Sequence, residues 1–195
     1  AADATASIDV SMVNDAPSFT ESDRAGMLIL PIGNSDDRVN DAIVQLDGKL
    51  VLVGSTMNGL SEEVCVVRLD AEGDLDSGFG TGGIVKLPIG SQGATAQSAV
   101  VQPDGKLVLA GVSANGANGL DFGVVRLEQD GALDPSFDGD GMTVLPIGLA
   151  DDRAYGVVVQ SDGKIVIAGN SRNGPNGYDF SVIRLAENGA LDTNF

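Results

Sequence analysis

The chain has 195 residues, 43% of them hydrophobic, enough for a sizeable core. Its net charge of −17 and isoelectric point near 4.1 argue against nucleic acid and anionic membranes, which need a basic footprint. One cysteine and no histidine exclude an internal disulfide framework and a thiol-based zinc cluster.

Residues 1–10, AADATASIDV, carry no charged region followed by an apolar core. The expectation is that a leader has been removed or that the chain is a piece of a longer one. In 5–13, Ala6, Ile8, Val10 and Met12 alternate with polar residues, as in a half-buried strand, and Pro17 ends it. The segment VNDAPSF (13–19) resembles the last strand and linker of bacterial cadherin-like domains. That resemblance implies a calcium-binding domain junction at Asn14 and Asp15; a strand followed by an Asx-type turn is the other reading. Residues 1–25 are thus expected to be a cadherin-like remnant and linker.

From residue 26 the chain repeats. GMLILPIG (from Gly26), GIVKLPIG (from Gly83) and GMTVLPIG (from Gly141) are short strands ended by Pro and Gly. QLDGKLVLVGS (45–55), QPDGKLVLAGV (102–112) and QSDGKIVIAGN (160–170) each read as two strands joined by an Asp-Gly turn. A third strand follows: VCVVRL (64–69), FGVVRL and FSVIRL. Both of its parities are apolar, as in a strand covered on two sides. The repeats are bounded at about 26–82, 83–140 and 141–195.

Four strands at a period near 58 residues predict all-β structure with one four-stranded sheet per repeat, a propeller blade. A β-helix is the runner-up. The repeat region enters on a fourth-type strand and ends after a third-type strand, so the strand at 26–33 is expected to complete the last sheet, giving twelve strands. Three blades do not close a ring. The expectation is either half of a six-bladed homodimer joined through open blade edges or a part of a longer array.

The pattern DR-A-x-x-VVVQxDGKIVIAG, DFxVxRL and DGxLDxxFGxGG resembles the delta-60 repeat, with matches at Asp152, Arg153, Gly163, Lys164, Gly169, Asp179, Phe180, Arg184, Leu191 and Asp192. The resemblance covers about 30–195 and implies a propeller-type repeat of large secreted or surface bacterial proteins. Repeat one departs from it, with EEV at 62–64 where the others have DFG and DFS.

Residues identical in every copy are assigned to the blade. Leu75, Leu133 and Leu191 with Phe79, Phe137 and Phe195 anchor a long loop. Arg68, Arg126 and Arg184 lie in apolar strands, and a buried guanidinium needs a partner; the Asp of the same repeat's L-D-x-x-F motif is the candidate. A ligand-binding arginine in each blade is the alternative.

Function is sought where the copies differ. Strand parity brings NSDDR (34–38), SQGAT (91–95) and LADDR (149–153) to the same blade end as the loops between second and third strands. That end collects Asp36, Asp37, Asp151 and Asp152 as candidate calcium ligands. It also collects Glu62, Glu63, Asp121 and Asp179 as candidate ligand-binding residues. A solvated acidic face is the competing reading. At the other end, Asp138 and Asp140 of FDGDG resemble half a calcium loop without its distal Glu.

No catalytic residue is assigned. The carboxylates could act on a glycosidic bond, but there is no nucleophile elbow or phosphate loop, and aromatic content is 4% without tryptophan. The reading is a non-catalytic structural or interaction module, adhesin-like, secreted or at the cell surface, stabilised by calcium. A carbohydrate- or peptide-binding propeller is the alternative.

Overall fold

A computed structural model describes residues 26–33, 35–114, 119–174 and 177–195. The expected cadherin-like remnant, with Asn14 and Asp15, lies outside them. The sheets belong to one compact unit, Pro31–Phe195.

The described residues are all-β. The first sheet contains β1 (Asp37–Val44), β2 (Leu50–Asn58), β3 (Ser61–Leu69) and β4 (Ile84–Leu87). The second contains β5 (Ala94–Val101), β6 (Leu107–Ala114), β7 (Leu120–Leu127) and β8 (Met142–Leu145). The third contains β9 (Asp152–Val159), β10 (Ile165–Ser171) and β11 (Asp179–Leu185). Each sheet is an antiparallel meander in chain order.

Two expectations are corrected. Residues 27–32 form no strand, and the third sheet has three strands, so eleven rather than twelve are seen among the described residues. The apolar GMLILPIG run matches its relatives in composition, yet Met27, Leu28 and Ile29 are exposed rather than built into a ladder. The Asp-Gly turns also differ from a two-residue hairpin. Gly48, Gly105 and Gly163 have φ of 81–85°, while Asp138 is the only described non-glycine with positive φ. Gln45 N–H bonds to the Lys49 carbonyl and Gly48 N–H to the Gln45 carbonyl, which makes a three-residue loop with glycine in the left-handed position. Asp47 Oδ1 accepts from Lys49 N–H, so the aspartate stabilises the turn through its side chain.

The innermost strand of each sheet carries a bulge, at Asn40, Gln97 and Tyr155. Opposite each bulge stands a glycine, Gly54, Gly111 or Gly169. A Cβ there would lie 1.9–2.0 Å from the carbonyl oxygen of Arg38, Thr95 or Arg153. Close backbone approach, not φ, fixes these glycines. Gly111→Ala, in the middle sheet, is expected to destabilise the protein by more than about 2 kcal/mol, read as a lowered urea midpoint.

The sheets stack through their faces. Val51, Val53, Val64 and Val66 of the first sheet form one core with Ala96, Ala99, Leu107 and Leu109 of the second. Val108, Ala110, Phe122 and Val124 of the second sheet meet Ala154, Val157, Ile165 and Ile167 of the third. Alanines on β5 and β9 keep the innermost strand thin, so the neighbouring sheet can approach closely. The middle sheet is therefore buried on both faces. At the outer face of the third sheet the same register positions, Ala168, Phe180 and Val182, are exposed.

A polar device joins each sheet to the next. Arg68 Nε donates to Asp76 at 2.8 Å, and Lys49 Nζ lies 3.1 Å from the same oxygen. The guanidinium covers the Phe79 ring at 4.4 Å and donates to the Gln129 carbonyl of the second sheet's loop. Arg126 repeats this with Asp134 at 2.6 Å, which Lys106 Nζ also meets at 2.7 Å, and with the Phe137 ring and the Glu187 carbonyl. The arginine's expected partner is therefore the one observed. Arg184 keeps Asp192, Lys164 and Phe195, but no carbonyl of a following sheet is present among the described residues.

Candidate functional site

Antiparallel register puts the start of the first strand and the turn between the second and third strands at one end of each sheet. Asp37 pairs with Thr56, which pairs with Glu63; Ala94, Ser113 and Asp121 correspond in the second sheet, and Asp152, Ser171 and Asp179 in the third. The sequence-predicted residues do gather at this end, but as separate small networks.

Asp37 accepts from Ile32 and Gly33 N–H and, at 2.6 Å, from the Thr56 hydroxyl. Asp152 accepts from Ile147 and Gly148 N–H at 2.7 and 2.8 Å. Each aspartate thus fixes the LPIG turn five residues before it. That fixed spacing was the sequence signal for a structural carboxylate, and it was missed. Burial pushes the Asp37 carboxyl up, but the Thr56 hydroxyl and the two N–H groups outweigh it and hold it below the usual range.

Asp36 faces Arg38 at 3.2 Å, and Glu62 faces the same guanidinium at 3.4 Å while accepting from Ser55 at 2.6 Å. Glu63 accepts from Asn58. Asp151 accepts from Leu120 N–H, Arg153 and the Tyr178 hydroxyl. Burial opposes ionisation of Asp151, and these three donors reverse the effect and lower its pKa. Asp121 is buried on β7 and Asp179 is exposed on β11.

Asp36, Asp37, Asp151 and Asp152, the residues assigned to calcium, therefore sit in separate networks. No group of three or more carboxylates or other ligating side chains converges among the described residues. Both oxygens of Asp37 and Oδ2 of Asp152 accept from backbone N–H groups, while Asp152 Oδ1 is buried with no hydrogen-bond partner among the described residues. Asp140, at the opposite end, bonds Met142 N–H.

A feature absent from the sequence reading is a cavity of about 340 Å3 at this end, above the middle sheet. Its lining includes Arg38, Glu62, Gln92, Thr95, Gln97 and Arg153. Arg38, Thr95 and Arg153 occupy equivalent positions on the three innermost strands, paired with Ser55, Val112 and Asn170. The outer two sheets carry Asp-Asp-Arg there and the middle one Gly-Ala-Thr. The short side chains leave the space, and the arginines wall it.

The family described as "Domain of unknown function (DUF5122) beta-propeller" matches residues 45–79, 102–137 and 160–195, more than half of the chain. The chain belongs to this family. Each DUF5122 match starts at the glutamine before an Asp-Gly turn and spans the second strand, the third strand and the L-D-x-x-F loop. The matches therefore fall on the Arg–Asp–Lys device and leave out the innermost strands that line the cavity. Together with the stacked sheets, they make the fold a partial propeller.

No curated protein sequence matches the chain. Among solved structures, a crystal structure of a GH43_12 retrieved from capybara gut metagenome is similar at a TM-score of 0.45 and 10% identity, over 79% of this chain. The chain spans 30% of that protein's length.

Proposed function

We propose that this DUF5122 chain is a non-catalytic interaction module of a large secreted or surface bacterial protein, adhesin-like in role. The likeness to the delta-60 repeat and to a cadherin-like leading segment supports that setting. Its primary partner is a further blade of the same repeat, received by the outer face of the third sheet. One observation carries this: Phe122 is 0% exposed at the second junction, and its equivalent Phe180 is 101% exposed. A large apolar side chain repeated into an uncovered face marks an interaction surface. A second copy of the chain supplies such a blade when the protein is alone in solution.

Light scattering on the purified chain is expected to give at least twice the chain mass, reduced to the single-chain mass by Phe180→Asp. A wild-type chain that stays monomeric at high concentration would contradict the reading.

A second reading, a carbohydrate-binding propeller, is favoured by the cavity at the loop end. The non-catalytic part is supported by the carboxylates there. Asp37 and Asp151 are held ionised by N–H, hydroxyl and guanidinium donors, the opposite of what a general acid requires. Calcium belongs to this proposal as the ion held by Asn14 and Asp15, ahead of the repeats in sequence.

A further inference from the structure

We propose that the cavity above the middle sheet binds the carboxylate of an acidic sugar, a hexuronic acid unit, held between Arg38 and Arg153. The inference rests on reading the loop end as the ligand-facing surface and names the ligand class for it.

The arginines are set apart from the cations that recur in every repeat. Arg68, Arg126 and Arg184 are each tied to an aspartate and stacked on a phenylalanine, and Lys49, Lys106 and Lys164 join the same carboxylates. Arg38 meets Asp36 and Glu62 through one nitrogen each, at 3.2 and 3.4 Å, Arg153 meets Asp151 at 3.3 Å and also bonds the Tyr178 side chain, and both stay substantially exposed. None of these three pairs is the two-pronged arrangement that satisfies a guanidinium, so donors remain for an incoming carboxylate. Arg153 Nε is shielded from solvent and has no hydrogen-bond partner among the described residues. The Tyr178 ring stands 6.0 Å from the Arg153 guanidinium, at the edge of cation–π range.

The remaining lining selects a hydroxylated body for that carboxylate. Gln92, Gln97 and Thr95 offer both donors and acceptors, and among the described residues no aromatic side chain lines the space. The volume falls at the small end of ligand pockets. A net charge of −17 repels polyanions, leaving a ligand with a single carboxylate as the favoured anion. A peptide would need an apolar anchor, and Val112 and Leu120 provide little of one.

The test is calorimetric titration of the full chain with glucuronate and, separately, glucose at low ionic strength. Glucuronate is expected to bind at least tenfold more tightly, with affinity falling as salt rises. Arg38→Gln and Arg153→Gln should each weaken it about tenfold. Thr95→Arg, which installs the side chain of the flanking repeats, should fill the cavity and abolish binding. Equal binding of glucose, binding indifferent to all three substitutions, no binding by folded protein, or preference for an acidic peptide would overturn the proposal. Light scattering on the same variants separates the two readings. Assemblies that persist without glucuronate binding sink only the ligand, whereas a monomer that binds glucuronate sinks only the docking face.

Discussion

Phe122→Ala is expected to cost about 3–5 kcal/mol, the usual range for emptying a fully buried phenylalanine site, and Phe180→Ala to cost almost nothing in the dilute chain. The two residues are repeat equivalents on β7 and β11, paired with Val112 and Asn170. They differ in what lies above them. Phe122 joins Val108, Ala110 and Val124 against Ala154, Ile165 and Ile167, while Phe180 faces solvent. Thermal melts at low concentration read the difference as a drop of roughly 10 °C for the first variant and no change for the second. Equal losses at both positions would mean that the third sheet's outer face is covered in the folded chain.

Removing the carboxylate of Asp134 is the second large effect expected. Asp134→Asn leaves Arg126 buried beside Phe137 with its charge partner gone, a change that costs about 3–5 kcal/mol when such a pair is broken from one side. Arg126 and Asp134 are 5% and 2% exposed, so solvent does little to screen the loss. Burial pushes the Asp134 carboxyl up, but Lys106, the Ser136 hydroxyl and N–H, and Arg126 outweigh it and hold its pKa well below the ordinary carboxylate value. Asp76 is lowered to about 2, by Gly78 N–H and Lys49 first and then by Arg68. Asp192 is lowered in the same way by Lys164 and the Asn194 N–H.

A carboxyl whose folded pKa is depressed stabilises the fold fully above its unfolded value, near 3.8 here, and loses that contribution as pH falls toward about 2. Melting temperature should therefore drop steeply between those limits. Asp134→Asn should start lower at neutral pH and lose less across the window. An identical acid profile in wild type and variant would remove the device from the account of stability.

The repeat carried most of the fold in readable form. Alternation with both parities apolar in VCVVRL and FGVVRL requires a sheet covered on two faces, and β3 and β7 are buried along both. The arginine in that strand could be paired with Asp76, Asp134 and Asp192 because a buried guanidinium needs a partner and the L-D-x-x-F motif supplies an aspartate in every repeat. What composition could not reveal was pairing at the chain's start. GMLILPIG has the apolar content of its relatives, but a strand also needs a neighbour's backbone, which no residue pattern within the segment encodes.

The site was legible in location and not in chemistry. Asp37 and Asp152 read as surface ligands because their fixed spacing from the LPIG turn takes on meaning only through the N–H groups of Ile32, Gly33, Ile147 and Gly148 that it brings to them. The cavity was invisible for a related reason. It arises from what Gly93, Ala94 and Thr95 lack, and a missing side chain counts only when its neighbours on both sides are known.

The bonds that the arginine loops make between sheets all run one way, although Ala99 N–H and the Ser98 hydroxyl on β5 donate back to Asp41 on β1. Arg68 and Gly80 N–H donate forward to Gln129 and Asp130, and Arg126 and Asp138 N–H donate forward to Glu187 and Asn188. The stack consequently has a giving end and a receiving end, and two giving ends cannot satisfy each other. Copies joined by this grammar meet head to tail, so the product is a closed ring if the rotation per step divides a full turn and an open filament if it does not.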